Sequence, residues 1–292
     1  MPTSSAGKDS PHLEEHQREQ AADAAPLRGI VIHEVIRAEG EEELKRDVPQ
    51  MAWSGLAAGL SMGFSFLTQA LLRAGLPEEP WRHLIASFGY TTGFAIVILG
   101  RQQLFTESTL TAVLPALTNK DGKTLRAVLK LWVVVLAANL IGTWLFAAAL
   151  AWWNLFPPQA MASLSDIAAE AVENPFWTTL LKAVFAGWLI ALMVWLLPSA
   201  RTARLLVIVM ITYIVALARL SHIIAGSAEA AYAVLNGQAG GGDYAWKFLI
   251  PTLIGNIVGG VALVAMLNHA PVAPQLEQAA EGGAEARRQP QK

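Results

Sequence analysis

The chain has no cysteine and little charge. Without cysteine there is no disulfide, no thiolate metal site and no thiol nucleophile. Charged residues make up 15% of the 292 residues, against roughly 25% in an average soluble domain, so the charged surface of a soluble protein is missing. The first thirty residues hold no apolar run, so no cleaved signal peptide is expected. The formal net charge of −2 points to no class of partner. Basic residues are scattered through short loops, which excludes a nucleic-acid surface. No carboxylate dyad, no histidine cluster at metal spacing and no Ser/Lys pair on one helix supports chemistry. Ser221 and His222 are neighbours in sequence and would not face one another on a regular helix. Neither an enzyme nor a cofactor or metal is expected.

Apolar residues are abundant, at 54%. A bilayer-spanning helix needs about 20 mostly apolar residues. Six stretches qualify: 51–72, 83–117, 128–151, 177–197, 205–236 and 247–267. The second is too long for one span and breaks near 101-RQQ-103, and the fifth breaks at 219-RLSH-222. Irregular backbone at membrane depth survives only where protein or water covers it. Ahead of the spans, polar residues 1–26 are expected to be disordered. Residues 27–47 carry Ile30, Val31, Val35, Ile36 and Leu44 among charges, the pattern of an amphipathic helix on the membrane or on the protein's own underside. Residues 48–268 are expected to form a six-helix transmembrane domain, and 269–292 a second disordered tail.

Loop charges set the orientation. Lys120, Lys123, Arg126, Lys130, Arg201 and Arg204 lie on one side, against Arg73, Arg82 and Lys247 on the other. This puts both termini in the cytoplasm and the acidic 152–176 connection outside. Three spans per half give an inverted 3+3 repeat. The halves share 138-ANLIG-142 with 255-GNIVGG-260, and 104-LFT-106 with 220-LSH-222, in the same order. Asn139 and Asn256, polar inside spans, are expected to hold the broken backbone.

Thr106 and His222 are the functional candidates. Ionisable side chains inside a membrane are costly and usually face a polar cavity. Across an inverted repeat the two residues meet near the midplane, where a hydroxyl can fix the imidazole tautomer or face the permeant species.

The ordered set 104-LFTES-108, 138-ANLIG-142, 221-SHIIA-225 and 250-IPTLIGNIVGG-260 resembles the formate/nitrite transporter family over roughly residues 30–268. The resemblance implies an all-α, aquaporin-like membrane fold with broken second and fifth helices. It also implies a homopentamer in the bacterial inner membrane with one pore per subunit. The cargo it implies is a small monovalent anion or its acid, such as formate, nitrite, acetate, lactate or hydrosulfide. Carried over, Thr106 is the hydroxyl of the broken loop and His222 the central pore histidine. Leu104, Phe94 and Tyr90 line the narrow apolar stretches, and Val215 faces them. A desolvated anion crosses an apolar constriction at far greater cost than its neutral acid, and His222 is the group expected to donate or relay the proton.

This chain departs from the family pattern. Arg219, Leu220 and Ser221 stand where glycine, an aromatic and glutamate are usual. Gln103 replaces an acid, and Glu107 a small residue. A lysine usual before the fourth span is missing, and Lys182 either substitutes for its field or snorkels to the interface. Arg219 either pairs with Glu107, fills the pore or sits just below it on the cytoplasmic side. The residues leave open an anion or acid channel, a channel for neutral solutes such as water, or a non-conducting membrane sensor.

Overall fold

A computed structural model of the chain describes residues 10–275. The described residues form helices and no strand. Four uninterrupted helices are long and apolar enough to cross a membrane: α3 (Val48–Gly75), α4 (Arg82–Leu99), α7 (Gly122–Trp152) and α9 (Phe176–Leu196). The last span, Gly241–His269, is a fifth, with π-helical stretches over Tyr244–Leu249 and Val258–Met266. The second span stops at Leu99 and resumes as α5 (Phe105–Thr111) and α6 (Val113–Asn119). The fifth is split into α10 (Arg204–Leu217) and α11 (Ala225–Leu235).

Local chemistry fixes where the long helices start. Asp47 caps α3, its carboxylate accepting from Gln50 N at 2.8 Å while the Gln50 side chain accepts from Asp47 N. Asp121 caps α7 by accepting from Lys123 N and Thr124 N, both at 2.8 Å. Each cap satisfies donors that a helix start leaves open.

Small residues bring the spans close. Gly59 of α3 lies against the backbone of Asn139 on α7, and Gly187 of α9 against that of Asn256 on the last span. A Cβ at either glycine would overlap its neighbour's main chain, which is how glycine permits tight packing in membranes.

A surface helix covers each end of the bundle. The stretch 27–47 holds α2 (Gly29–Lys45), which packs on α5 and α6 with His33 and Ile36 fully buried. At the opposite end the connection 152–176 is more than an outward loop. It contains α8 (Pro158–Ala171), packed on α3 and α11 through Leu164, Ile167 and Ala168. The apolar stripe of α8 is too short and too interrupted to read as a span. The stretch 1–26 was expected to be disordered, yet a ten-residue helix, α1 (Glu15–Ala24), lies within it. Residues 1–9 lie outside the described residues, as do residues 276–292 of the C-terminal tail.

Tryptophans mark the α8 end. Trp81 precedes α4, Trp152 and Trp153 end α7, Trp177 opens α9 and Trp246 opens the last span, all exposed. Such a belt is typical of a membrane–water interface.

Candidate functional site: two helix breaks joined by threonine and histidine

The two breaks, 100–104 and 218–224, are held in the same way. Asn139 Oδ1 accepts from Phe105 N at 3.0 Å, and its Nδ2 donates to Gln103 O at 3.0 Å and Gly55 O at 2.7 Å. Asn256 Oδ1 accepts from Ile223 N at 2.8 Å, and its Nδ2 donates to Ser221 O at 3.0 Å and Ala183 O at 2.8 Å. Each asparagine thus grips the residues on either side of one break position and ties them to a neighbouring span. Interrupted helices leave backbone groups without partners, and two fully buried amides supply them.

The asparagine bonds align Leu104 with His222, two residues away from the register of the sequence match of 104-LFT-106 with 220-LSH-222. The residue flanked by the asparagine bonds is Leu104 in one half and His222 in the other. The same register pairs Arg101 with Arg219, and both sit in the left-handed region, at φ 52° and 49°. Short similarity in sequence follows side-chain type; the hydrogen bonds follow the backbone.

Thr106 and His222 meet at the centre, with Oγ1 and Nε2 2.8 Å apart and both residues fully enclosed. Ala225 N donates to His222 Nδ1 at 3.2 Å. A backbone N–H can only donate, so Nδ1 is the acceptor nitrogen and Nε2 carries the hydrogen. The ring therefore donates to the Thr106 hydroxyl, whose own hydrogen is left to point elsewhere. With Nδ1 engaged, the imidazole has no free lone pair to accept a proton. The expected relay role for His222 does not fit this geometry, whereas a fixed donor role does.

Apolar groups surround the pair. The Phe94 and His222 rings pack edge to face at 4.9 Å, and Tyr90 lies 5.3 Å from Phe94. Leu104, Phe94 and Val215 are each at most 1% exposed. On either side of this plug lies a polar vestibule. The one at the α2 end measures about 600 Å³ and is walled by Gln103, Glu107, Arg101 and Arg204, with Glu43 of α2. Burial pushes the Glu43 carboxyl up to about 7 even though the Thr111 hydroxyl donates to it at 2.8 Å. The one at the α8 end measures about 160 Å³ and reaches Tyr90, Val215 and His222 past Lys182, Arg219 and Glu229. No residue lines both.

The expected partnership of Arg219 with Glu107 is absent, because the two face opposite vestibules. Arg219 instead pairs at 3.1 Å with Glu170 of α8, which also accepts from Arg73 at 3.0 Å. It lines the vestibule at the α8 end rather than the plug. Lys182 lines the vestibule at the α8 end beneath this cluster. Sequence reasoning passed over Arg101 and Glu229. The signal for Arg101 was its place in the first break.

A membrane bundle in which two broken helices present short polar loops to one buried centre, between two vestibules, defines a channel or transporter fold. A model of the formate/nitrite transporter family matches residues 31–270, and the chain belongs to that family. The inner membrane protein YfdC of Escherichia coli (strain K12) is 41% identical over 250 residues, covering 86% of this chain and 81% of that protein. The formate channel BtFdhC of Bacillus thuringiensis is 23% identical over 239 residues, 80% of this chain and 91% of that one. Among solved structures, a pentameric formate channel with formate bound superposes with a TM-score of 0.67 at 21% identity. It covers 77% of this chain and 98% of that one. An ion channel of the same family superposes with a TM-score of 0.70 at 18% identity, covering 81% and 96%.

Proposed function

We propose that the protein conducts small monovalent anions or their neutral acids. One pore runs through each subunit, from the α2-end vestibule past Thr106 and His222 to the α8-end vestibule. The observation that carries this reading is the 2.8 Å Thr106–His222 contact inside an apolar plug between two polar vestibules. With His222 Nε2–H donating to Thr106 Oγ1, the hydroxyl hydrogen is oriented as the one donor offered to a passing solute. A single fixed donor in an apolar constriction favours a species that needs one acceptor contact and carries little or no charge. Transport rather than catalysis is the activity, and the small anion or acid is the partner.

The repeated grip of Asn139 and Asn256 supports an inverted 3+3 repeat. The superposed pentameric formate channel and the related Escherichia coli inner membrane protein support a homopentamer in an inner membrane. The lysine and arginine bias of the loops supports cytoplasmic termini, with the α2 end inside.

The test is stopped-flow light scattering on proteoliposomes with formate, nitrite, acetate, hydrosulfide and water, at pH 5 and pH 7. Fast entry of the anions that grows at low pH is the expected result, and entry of water alone defeats the reading. His222→Ala and Thr106→Val each remove the oriented donor. Each is expected to slow acid entry by at least about tenfold, the worth of roughly one hydrogen bond. Thr106→Ser, which keeps the hydroxyl, is expected to restore it.

A further inference from the structure

The plug orients a donor but holds no group free to exchange a proton. Two carboxylates stand beside it. Glu107, on α5, lines the α2-end vestibule, and Glu229, on α11, lines the α8-end vestibule. Among the described residues neither carboxylate has a hydrogen bond or ion pair, although both are largely enclosed. The charges bearing on Glu107 are Glu43 and Glu39 of α2 and Arg204 at the start of α10. Arg101 and Arg201 share the vestibule wall. Glu229 faces Glu170 and Glu173 at the α8 end, with Lys182 of α9, His83 of α4, Arg219 and His222 around it. An independent feature marks the first vestibule as a place for a polar guest. Gln103 is 4% exposed, lines that vestibule, and has no partner for either side-chain polar atom.

A bare anion entering either vestibule meets an unpaired carboxylate and then a plug that strips its water. Both oppose it. If the carboxyl is protonated, its proton resolves the conflict.

We infer that Glu107 and Glu229 are the proton-exchanging groups of the path, one on each side of the plug, and that they select weak monocarboxylic acids over anions of strong acids. The inference rests on the anion/acid reading above. A substrate carboxylate in the α2-end vestibule takes the proton of the Glu107 carboxyl: that O–H bond breaks and one forms on the substrate. The neutral acid passes Thr106 and gives its proton to the Glu229 carboxylate. The anion then leaves, and vestibule water returns Glu107 and Glu229 to their starting states. One proton travels with one anion, and the reverse sequence runs equally well. Chloride cannot take the proton and is turned back.

The test uses the full-length protein in vesicles holding a pH-sensitive dye, with formate or chloride outside. Wild type is expected to acidify the lumen with formate and to leave chloride outside. Glu107→Gln and Glu229→Gln are each expected to slow formate-driven acidification at neutral pH by at least about tenfold, the lower range for loss of a positioned acid or base. Glu107→Asp and Glu229→Asp are expected to keep it. Unchanged rates in both glutamine variants overturn the inference while leaving the anion/acid reading intact, as does chloride passing as fast as formate. A wild-type protein closed to formate, acetate and nitrite alike overturns both. Dicyclohexylcarbodiimide, which labels protonated carboxyls, removes any dependence on how the variants fold. In wild type it is expected to block uptake with adducts mapped to Glu107 or Glu229, and uptake that survives labelling there counts against the assignment.

Discussion

Asn139 and Asn256 are buried to the last atom, and each makes three hydrogen bonds across its break. Substituting leucine keeps the volume and strands one backbone N–H and one carbonyl of the break. Each stranded group costs about 1–3 kcal/mol, so Asn139→Leu and Asn256→Leu are each expected to lose about 2 kcal/mol or more. The losses should be nearly equal, because the bond sets match. Thermal unfolding of the purified variants reads this directly, and a silent substitution at either site breaks the proposed equivalence of the halves. These asparagines were legible in sequence because a carboxamide inside an apolar span demands a reason, as were Thr106 and His222 at the breaks. Glu229 was not legible. Whether an acid on a span faces a cavity or a packed neighbour depends on α8, and no pattern of spans announced that helix. The partner of Arg219 was hidden for the same reason.

Each broken element turns on a residue in the left-handed region, and in both it is arginine. A side chain there costs about 1–2 kcal/mol relative to glycine. Arg219 recovers part of that through Glu170, in a contact whose arginine side is 54% exposed, and such exposed pairs contribute about 0–1 kcal/mol. Alanine and glycine at 219 separate the two effects. Both lose the ion pair, but only glycine relieves the backbone. Arg219→Gly is therefore expected to be more stable than Arg219→Ala by about 1 kcal/mol. Chemical unfolding in detergent measures the difference, and equal stabilities would mean that the backbone strain is dispersed through the loop. The helices that cap the vestibules are tied to these same turns: Arg219 reaches α8, and Arg101 reaches Glu39 of α2 at 3.4 Å. The span boundaries were readable to within about six residues because hydrophobic length sets them. The π-helical turns of the last span were not.

At the scale of the whole molecule, the proposed path is lined by residues of one chain. Both vestibules and the plug are walled by residues of one subunit, and the outer faces of the spans remain apolar. On α7 alone, Leu125, Leu129, Val133, Ile141 and Leu145 are all more than 49% exposed and follow one helical stripe. That stripe faces lipid or a neighbouring copy and carries nothing polar for a solute to follow. On the proposed reading, a ring of subunits adds pores rather than sharing one. Pentamers assembled from mixed wild-type and His222→Ala subunits test this. With one pore per subunit, formate uptake falls in proportion to the variant fraction. In a random equal mixture it is expected to stand at about half of wild type. A single shared path needing five intact subunits leaves only about one thirty-second. Native mass spectrometry of the same preparation fixes the mixing ratio and shows whether assemblies of five 31.4 kDa chains are present. A steep rather than proportional fall would move the path from the subunit to the axis between subunits and remove Thr106 and His222 from it.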